Sequence, residues 1–151
     1  MHDAIVIALG TPVRVGVYDE QGVLVEEIVN EGVGSDILPL IFEGLLKKYT
    51  FGRFVYANGP GSFMGIKVTY LFLKTLGIVK NIPLFAIDGF FFNDNSPIKA
   101  VGKLYFVKNS EVISLLPLEA PSINGFTLPK TIDAKNFKSD NAPYYGIDAV
   151  G

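Results

Sequence analysis

The residues of this chain that could do chemistry are few, and the most suggestive lie in one glycine-rich turn. The sequence Asn58-Gly59-Pro60-Gly61-Ser62 ends an apolar run and is followed by an apolar segment of helical length. Backbone N–H groups at the start of a helix can bind an anion, whereas Ser62 can cap the helix or serve as a nucleophile. The turn therefore indicates either a ligand site or a tight strand-to-helix connection, and the spacing alone favours the connection.

The residue inventory excludes several kinds of catalytic site. The only histidine is His2 and the chain has no cysteine, which removes Cys/His catalysis and His/Cys zinc sites. Without a histidine base, Ser62 is better explained as an N-cap than as a nucleophile. The turn is neither a Walker loop nor a dinucleotide-binding Gly-x-Gly-x-x-Gly pattern. We therefore predict no catalytic residue and no metal ligand, while Asp88, at a strand end, is expected to cap the next turn.

The elements that must position the turn follow an α/β order. Three strands at residues 4–9, 13–18 and 23–29 form a meander. A helix then opens at Ser35 or Asp36 and ends at Lys47 and Lys48, which suit the helix dipole. Next come a strand at 53–57, a helix from Phe63 and a strand at 84–87. A right-handed crossover between these last two strands gives a mixed sheet with helices against it.

The two helices are more apolar than one sheet face requires. In the first helix the apolar stripe comprises Ile37, Leu38, Leu40, Ile41, Leu45 and Leu46. In the second, Lys67 and Lys74 share one narrow stripe and apolar residues cover nearly all the rest. We therefore predict a surface that meets another protein or a second copy. Its expected residues are Ile37, Leu38, Ile41, Tyr70, Leu71, Phe72 and Lys74.

Beyond residue 89 the pattern loosens. Phe90-Phe91-Phe92 predicts a helical turn, and residues 99–107 and 112–116 predict a hairpin. Short strands are expected near 126–128 and 131–132, and a solvated loop at 135–140. The predicted organisation is one lobe at residues 1–92 and a reduced second lobe at 93–151, with a hairpin and an irregular tail.

The turn and its surroundings resemble one family. GPGSFMGIK is similar to the GPGSFTGxR signature of the TsaB proteins, also called YeaZ, of the sugar kinase/Hsp70/actin superfamily. SDILPLI followed by Leu45-Leu46 resembles that family's H-S/T-E-x-L-L-P-x-I-x-x-L-L helix. IPLFAIDGF lies where the family has I-P-V-x-G-V-S-S-L. The resemblance covers about residues 3–92.

This resemblance implies a ribonuclease H-like fold of the actin/Hsp70 type and a curtailed second lobe. It also implies a non-catalytic partner subunit that binds a TsaD-type protein for threonylcarbamoyl transfer to the tRNA adenosine beside the anticodon. The chain alone would bind no cofactor, and ATP and Mg would lie on the partner. A TsaE-type ATPase can join, tRNA would be met only through the complex, and a homodimer is expected in isolation. The signature residues that would touch a ligand are Gly59, Pro60, Gly61, Ser62, Phe63, Gly65 and Lys67.

The sequence departs from family and superfamily patterns at identifiable positions. ATP-binding relatives in the superfamily carry an Asp after the first strand, where this chain has Ala8-Leu9-Gly10-Thr11. The family's histidine before the first helix is replaced by Val33 or Gly34, and Met64 and Lys67 also differ. Two alternatives nevertheless stay open. They are a small ATP-binding kinase or ATPase of the same superfamily, and an α/β domain that associates only with itself.

The composition of the chain limits which of these functions are possible. A chain of 151 residues with 49% hydrophobic and 19% charged residues is globular, with one domain or two small lobes. Its net charge of −2 argues against direct nucleic-acid binding, which demands a basic surface. No segment reaches the length of about 20 apolar residues that spans a membrane. We therefore expect a soluble cytoplasmic protein that has no membrane partner.

Overall fold

A five-stranded mixed sheet forms the centre of the computed structural model, which describes residues 1–146. The spatial order is β3-β2-β1-β4-β5, with β1 antiparallel to β2, β2 antiparallel to β3, and β1, β4 and β5 mutually parallel. The strands are β1 (His2–Ile7), β2 (Val13–Tyr18), β3 (Leu24–Asn30), β4 (Phe51–Ala57) and β5 (Leu84–Ile87). The meander and the parallel crossover are therefore confirmed.

Two helices, α1 (Gly34–Lys48) and α2 (Phe63–Lys80), lie side by side on one face of this sheet. Phe42 of α1 ties the layers together, because its ring meets Phe54 of β4 at 5.6 Å and Phe72 of α2 at 5.5 Å. Leu40 is 69% exposed, so the predicted apolar stripe of α1 is not buried along its whole length. Phe42, two residues later, takes the place in the core. No helix of residues 1–146 has the length and hydropathy to cross a membrane.

A 3₁₀ turn at Gly89–Phe92 leads to a second sheet of three antiparallel strands. These are β6 (Ile98–Lys99), β7 (Leu104–Asn109) and β8 (Val112–Pro117), in the order β6-β7-β8. The expected hairpin is present, but its first strand is split because the chain turns at residues 100–103. Phe90, Ile98 and Phe106 form a small core beneath this sheet.

The C-terminal tail, residues 126–145, wraps around the main sheet. It covers the face opposite the helices as far as Phe137, passes the edge of β5 at Lys138 and reaches the helix side, where Tyr145 stacks on Phe63 of α2. Leu128 and Ile132 are buried in the main core, and a side chain at Gly16 would come within 2.9 Å of Leu128. Thr131 bridges Val23, just before β3, and Lys138 bridges Ala86 of the edge strand β5. The predicted strand at 126–128 is absent and that at 131–132 shrinks to one bridge. The loop at 135–140 is not wholly solvated, because Lys138 exchanges two backbone hydrogen bonds with Ala86.

Two buried tyrosines of the main sheet fasten this tail. The hydroxyl of Tyr18 donates to the carbonyl of Pro129, and that of Tyr56 to the carbonyl of Asn141, each at 2.6 Å. Burial raises the pKa of both tyrosines far above the usual range, so both remain donors. The segment predicted as a second lobe therefore does two things: its first part forms the small sheet, and its last part packs against the main sheet. The boundary at residue 92 stays a prediction, and residues 147–151 lie outside the described part.

Candidate functional site

The glycine-rich turn connects β4 to α2 at the carboxyl end of the parallel strands, where sites gather in α/β sheets. Ser62 is the N-cap of α2, as predicted, since its Oγ accepts the N–H of Gly65 at 3.2 Å. The segments that follow both neighbouring strands hold the turn: the N–H of Ser62 donates to the carbonyl of Leu9 at 2.9 Å, and the N–H of Gly89 donates to the carbonyl of Gly59 at 2.8 Å. The turn is therefore a fixed junction at the carboxyl end of the parallel strands.

At each glycine of the turn, the position that a β-carbon would take is already approached by another segment of the same chain. A β-carbon at Gly59 would lie 1.9 Å from the carbonyl oxygen of Tyr144, and one at Gly65 would lie 2.0 Å from that of Ala8. At Gly61 it would meet the β-carbon of Leu9 at 2.7 Å. Gly59 also has a φ of +126°, which disfavours any side chain. The close approach that the glycines permit is thus made by the protein itself.

The other residues of the predicted ligand contact differ in accessibility. Pro60 is buried with Gly59, whereas Ser62, Phe63 and Lys67 are exposed. Phe63 is partly covered by the tail, because its ring stacks on Tyr145 at 4.4 Å. Ligand contact by this turn stays a prediction, and its accessible residues are Ser62, Lys67 and the uncovered part of Phe63.

Two cavities flank Ser62. One, of about 360 Å³, lies between the β1–β2 turn and the second sheet, with Arg14 and Lys99 as its cations. Arg14 donates to Glu27 at 3.3 Å, and Lys99 donates to the carbonyl of Gly102 at 2.8 Å. Both cations therefore already have hydrogen-bond partners within the chain. Among the described residues no carboxylate lines this cavity. A magnesium ion that accompanies a phosphate group is usually held by one or two carboxylates, and this cavity offers none.

The second cavity, of about 480 Å³, lies where the N-termini of α1 and α2 converge. Gly34, Ser62 and Gly65 line it, and Val33 leaves α1 without a side-chain cap. Glu31 adds negative charge, which opposes an anion. Within residues 1–146, no group of three or more acidic or histidine side chains is placed to hold a metal ion.

Charged residues outside the turn have structural partners that the sequence did not reveal. Asp88 caps the 3₁₀ turn, as predicted, by accepting the N–H of Phe90 at 2.9 Å, and it also accepts Lys108 Nζ at 2.6 Å. Asp3 is buried and pairs with Arg53 through two hydrogen bonds of 2.9 Å. These partners come from distant strands, so spacing along the chain gives no signal for them.

The predicted interface is only partly at the surface. Leu38 is fully buried beneath α1, so its assignment to an interface is wrong; it lies on the helix side that packs on the sheet. Leu71 is 53% exposed and Lys74 is exposed, whereas Ile37, Ile41, Tyr70 and Phe72 are half-buried. Sequence reasoning missed the most exposed apolar residues of the helices. These are Leu40, Met64, Ile78 and Val79.

Comparison with known proteins identifies the fold. No protein-family model matches the chain, and no curated protein matches it. Among solved structures, YeaZ from Pseudomonas aeruginosa superposes with a TM-score of 0.59 at 11% identity, over 82% of this chain and 66% of that one. An uncharacterized protein from Pseudomonas aeruginosa with similarity to peptidase YeaZ gives 0.54 at 13% identity, over 82% and 62%. The chain spans less than two thirds of either protein. The likeness confirms a YeaZ-like, ribonuclease H-like fold with a short second lobe.

Proposed function

We propose that this chain is a TsaB-type partner subunit, not catalytic by itself, that binds a TsaD-type protein for threonylcarbamoyl transfer to tRNA. The YeaZ-like fold and the signature turn support this family of functions. In this proposal the partner carries ATP, Mg and the tRNA contacts, a TsaE-type ATPase can join, and the complex is cytoplasmic.

The observation that carries the proposal is an apolar stripe along the exposed side of α2. It consists of Met64, Leu71 and Ile78, which are 61%, 53% and 73% exposed. Seven-residue spacing keeps these side chains on one side of the helix, with a drift of only about 20° per step. Such a stripe is the pattern with which one helix packs against another. Solvent exposure of the stripe is therefore best explained by a partner helix.

Charge beside the stripe indicates what that partner carries. Lys67 and Lys74 repeat at the same seven-residue spacing and are exposed on one flank of the stripe. In helix pairs, charges that flank the apolar seam select the partner and its orientation. We infer that the docking helix carries acidic residues along the edge that faces Lys67 and Lys74.

The test is light scattering on a sizing column, with this chain alone and mixed with the TsaD-type protein from the same source. A stable mixed complex is expected for the unaltered chain. Leu71→Glu should weaken it at least about tenfold, equivalent to about 1.4 kcal/mol, because it buries a charge within the stripe. Val101→Glu is the matched control, since Val101 is 65% exposed in the turn between β6 and β7, and the change should leave binding unchanged.

Two outcomes would overturn the proposal. One is the absence of a mixed complex with the unaltered chain, whether or not nucleotide is added. The other is equal binding by the unaltered chain and Leu71→Glu, which would show that the stripe is not the docking surface. Tight binding and hydrolysis of ATP-Mg by the isolated chain would instead support the small ATPase.

A further inference from the structure

The sheets present four edge strands, and three of them are protected against pairing with another chain. Edge β3 carries Glu26 and Glu27, and Val23, just before its first residue, is bridged by Thr131. Edge β5 is bridged by Lys138, and edge β6 is only two residues long. Charges, covering segments and short length are the usual protections of sheet edges.

Strand β8 lacks these protections. Its sequence, VISLLP, is six residues long and contains no charge. Val112, Leu115 and Leu116 are 63%, 38% and 42% exposed. A long apolar edge of this kind readily accepts another strand.

The hairpin geometry shows which backbone groups of β8 face outward. Asn109 pairs with Val112 across a two-residue turn, and the N–H of Leu118 donates to Lys103 at 3.0 Å. Even-numbered residues of β8 therefore bond to β7, and Ile113 and Leu115 direct their N–H and C=O groups away from it. Within residues 1–146, no hydrogen bond from another segment reaches those outward groups.

We propose that β8 pairs with β8 of a second copy of this chain, antiparallel, about a two-fold axis at Ser114. In this register Ile113 faces the partner's Leu115, and the two symmetric pairs form four backbone hydrogen bonds. Ser114 faces the partner's Ser114, and Val112 faces the partner's Leu116. The result is a continuous six-stranded sheet across the dimer.

The composition of β8 favours a second copy as the occupant. A two-fold axis places the central residue of the strand opposite itself, so a charge at or next to that position would lie close to a like charge. β8 carries none, and Glu111 just before it would lie opposite Pro117 at the rim. In β3 the same operation would bring Glu26 and Glu27 close to their own copies. Self-pairing is therefore compatible with β8 and disfavoured at β3.

Cysteine cross-linking tests the register, because the chain has no cysteine of its own. Ser114→Cys should form a disulfide-linked dimer under mild oxidation, since directly opposed β-carbons lie about 4.5–5.5 Å apart. Val112→Cys alone and Leu116→Cys alone should not, because each residue is displaced from its own copy by about 13 Å along the strand. A mixture of those two variants should cross-link. Failure of Ser114→Cys to cross-link, or equal cross-linking by all three single variants, overturns the proposal.

Sedimentation equilibrium tests the same contact without a new covalent bond. Ser114→Lys should raise the dimer dissociation constant at least about tenfold, because two ammonium groups would meet at the axis. Val29→Lys, at a 49% exposed position of β3, should leave it unchanged. Leu71→Glu should also leave this dimer intact, which separates it from the docking surface on α2. A monomeric unaltered chain, or a dimer lost in Leu71→Glu but kept in Ser114→Lys, contradicts β8 pairing.

Discussion

Replacing Gly65 by alanine separates two interpretations of the glycine-rich turn. If glycine is present only to leave open space, alanine in the first turn of α2 should stabilise the helix by about 1 kcal/mol. The structure predicts the opposite sign. The new methyl group would lie 2.0 Å from the carbonyl oxygen of Ala8, whereas real β-carbons essentially never approach closer than 3.0 Å.

The magnitude follows from that overlap. The start of α2 and the end of β1 must separate by about 1 Å, and the obstructing atom is backbone that cannot rotate away. Overpacking of this kind costs about 3 kcal/mol at the upper end of the usual range. Subtracting the gain in helix propensity leaves a net destabilisation of about 2 kcal/mol for Gly65→Ala.

Gly44 provides the matched control. It also lies within a helix, and a β-carbon there would meet nothing within 4 Å. Gly44→Ala should therefore stabilise the protein by about 1 kcal/mol. The two glycine-to-alanine changes should differ by about 3 kcal/mol in the free energy of unfolding.

Urea unfolding followed by far-ultraviolet circular dichroism measures this difference, since the chain has no tryptophan. With a slope of about 2 kcal/mol/M, the midpoint should fall by about 1 M for Gly65→Ala and rise by about 0.5 M for Gly44→Ala. The slopes should agree among the three proteins. A midpoint for Gly65→Ala as high as that of Gly44→Ala would refute the argument that the turn is packed against β1.

Two further predictions concern the tail and the surface of α1. Tyr56→Phe should destabilise the protein by about 1–2 kcal/mol, because the part-buried carbonyl of Asn141 loses its donor. Tyr144→Phe, at an exposed ring, should change the free energy of unfolding in urea by less than about 0.5 kcal/mol. Equal midpoints would contradict the fastening of the tail. Glu26 accepts hydrogen bonds from Lys48 and Tyr49, which lower the pKa of its carboxyl. Because the folded-state pKa is lowered, this stabilisation is present at neutral pH and lost as pH falls through the folded-state value. Glu26→Gln should therefore melt below the unaltered protein at pH 7, and the difference should shrink as the pH falls below the usual range of a carboxyl group. A difference independent of pH would contradict this.

Local sequence was sufficient for the order of the first seven elements. Alternation and helical periodicity are properties of neighbouring residues, so they predicted the meander, both helices and the parallel crossover. The cap by Ser62 and the cap by Asp88 were also predictable, because each joins residues no more than three apart. The motif around the turn indicated a YeaZ-like fold, which the structural comparison confirmed.

Only the tertiary structure decided what packs against these elements. Residues 126–145 have little periodicity, yet Leu128, Ile132 and the carbonyls of Pro129 and Asn141 complete the covering of the main sheet. Contacts such as Gly59 with Tyr144 join residues far apart in the chain, and no local pattern records them. The sequence by itself determined the order of helices and strands in the first seven elements and which catalytic chemistries lack their residues. The tertiary structure decided that the glycines of the turn accommodate the chain's own backbone and that Leu38 is buried, because burial depends on which distant segments meet.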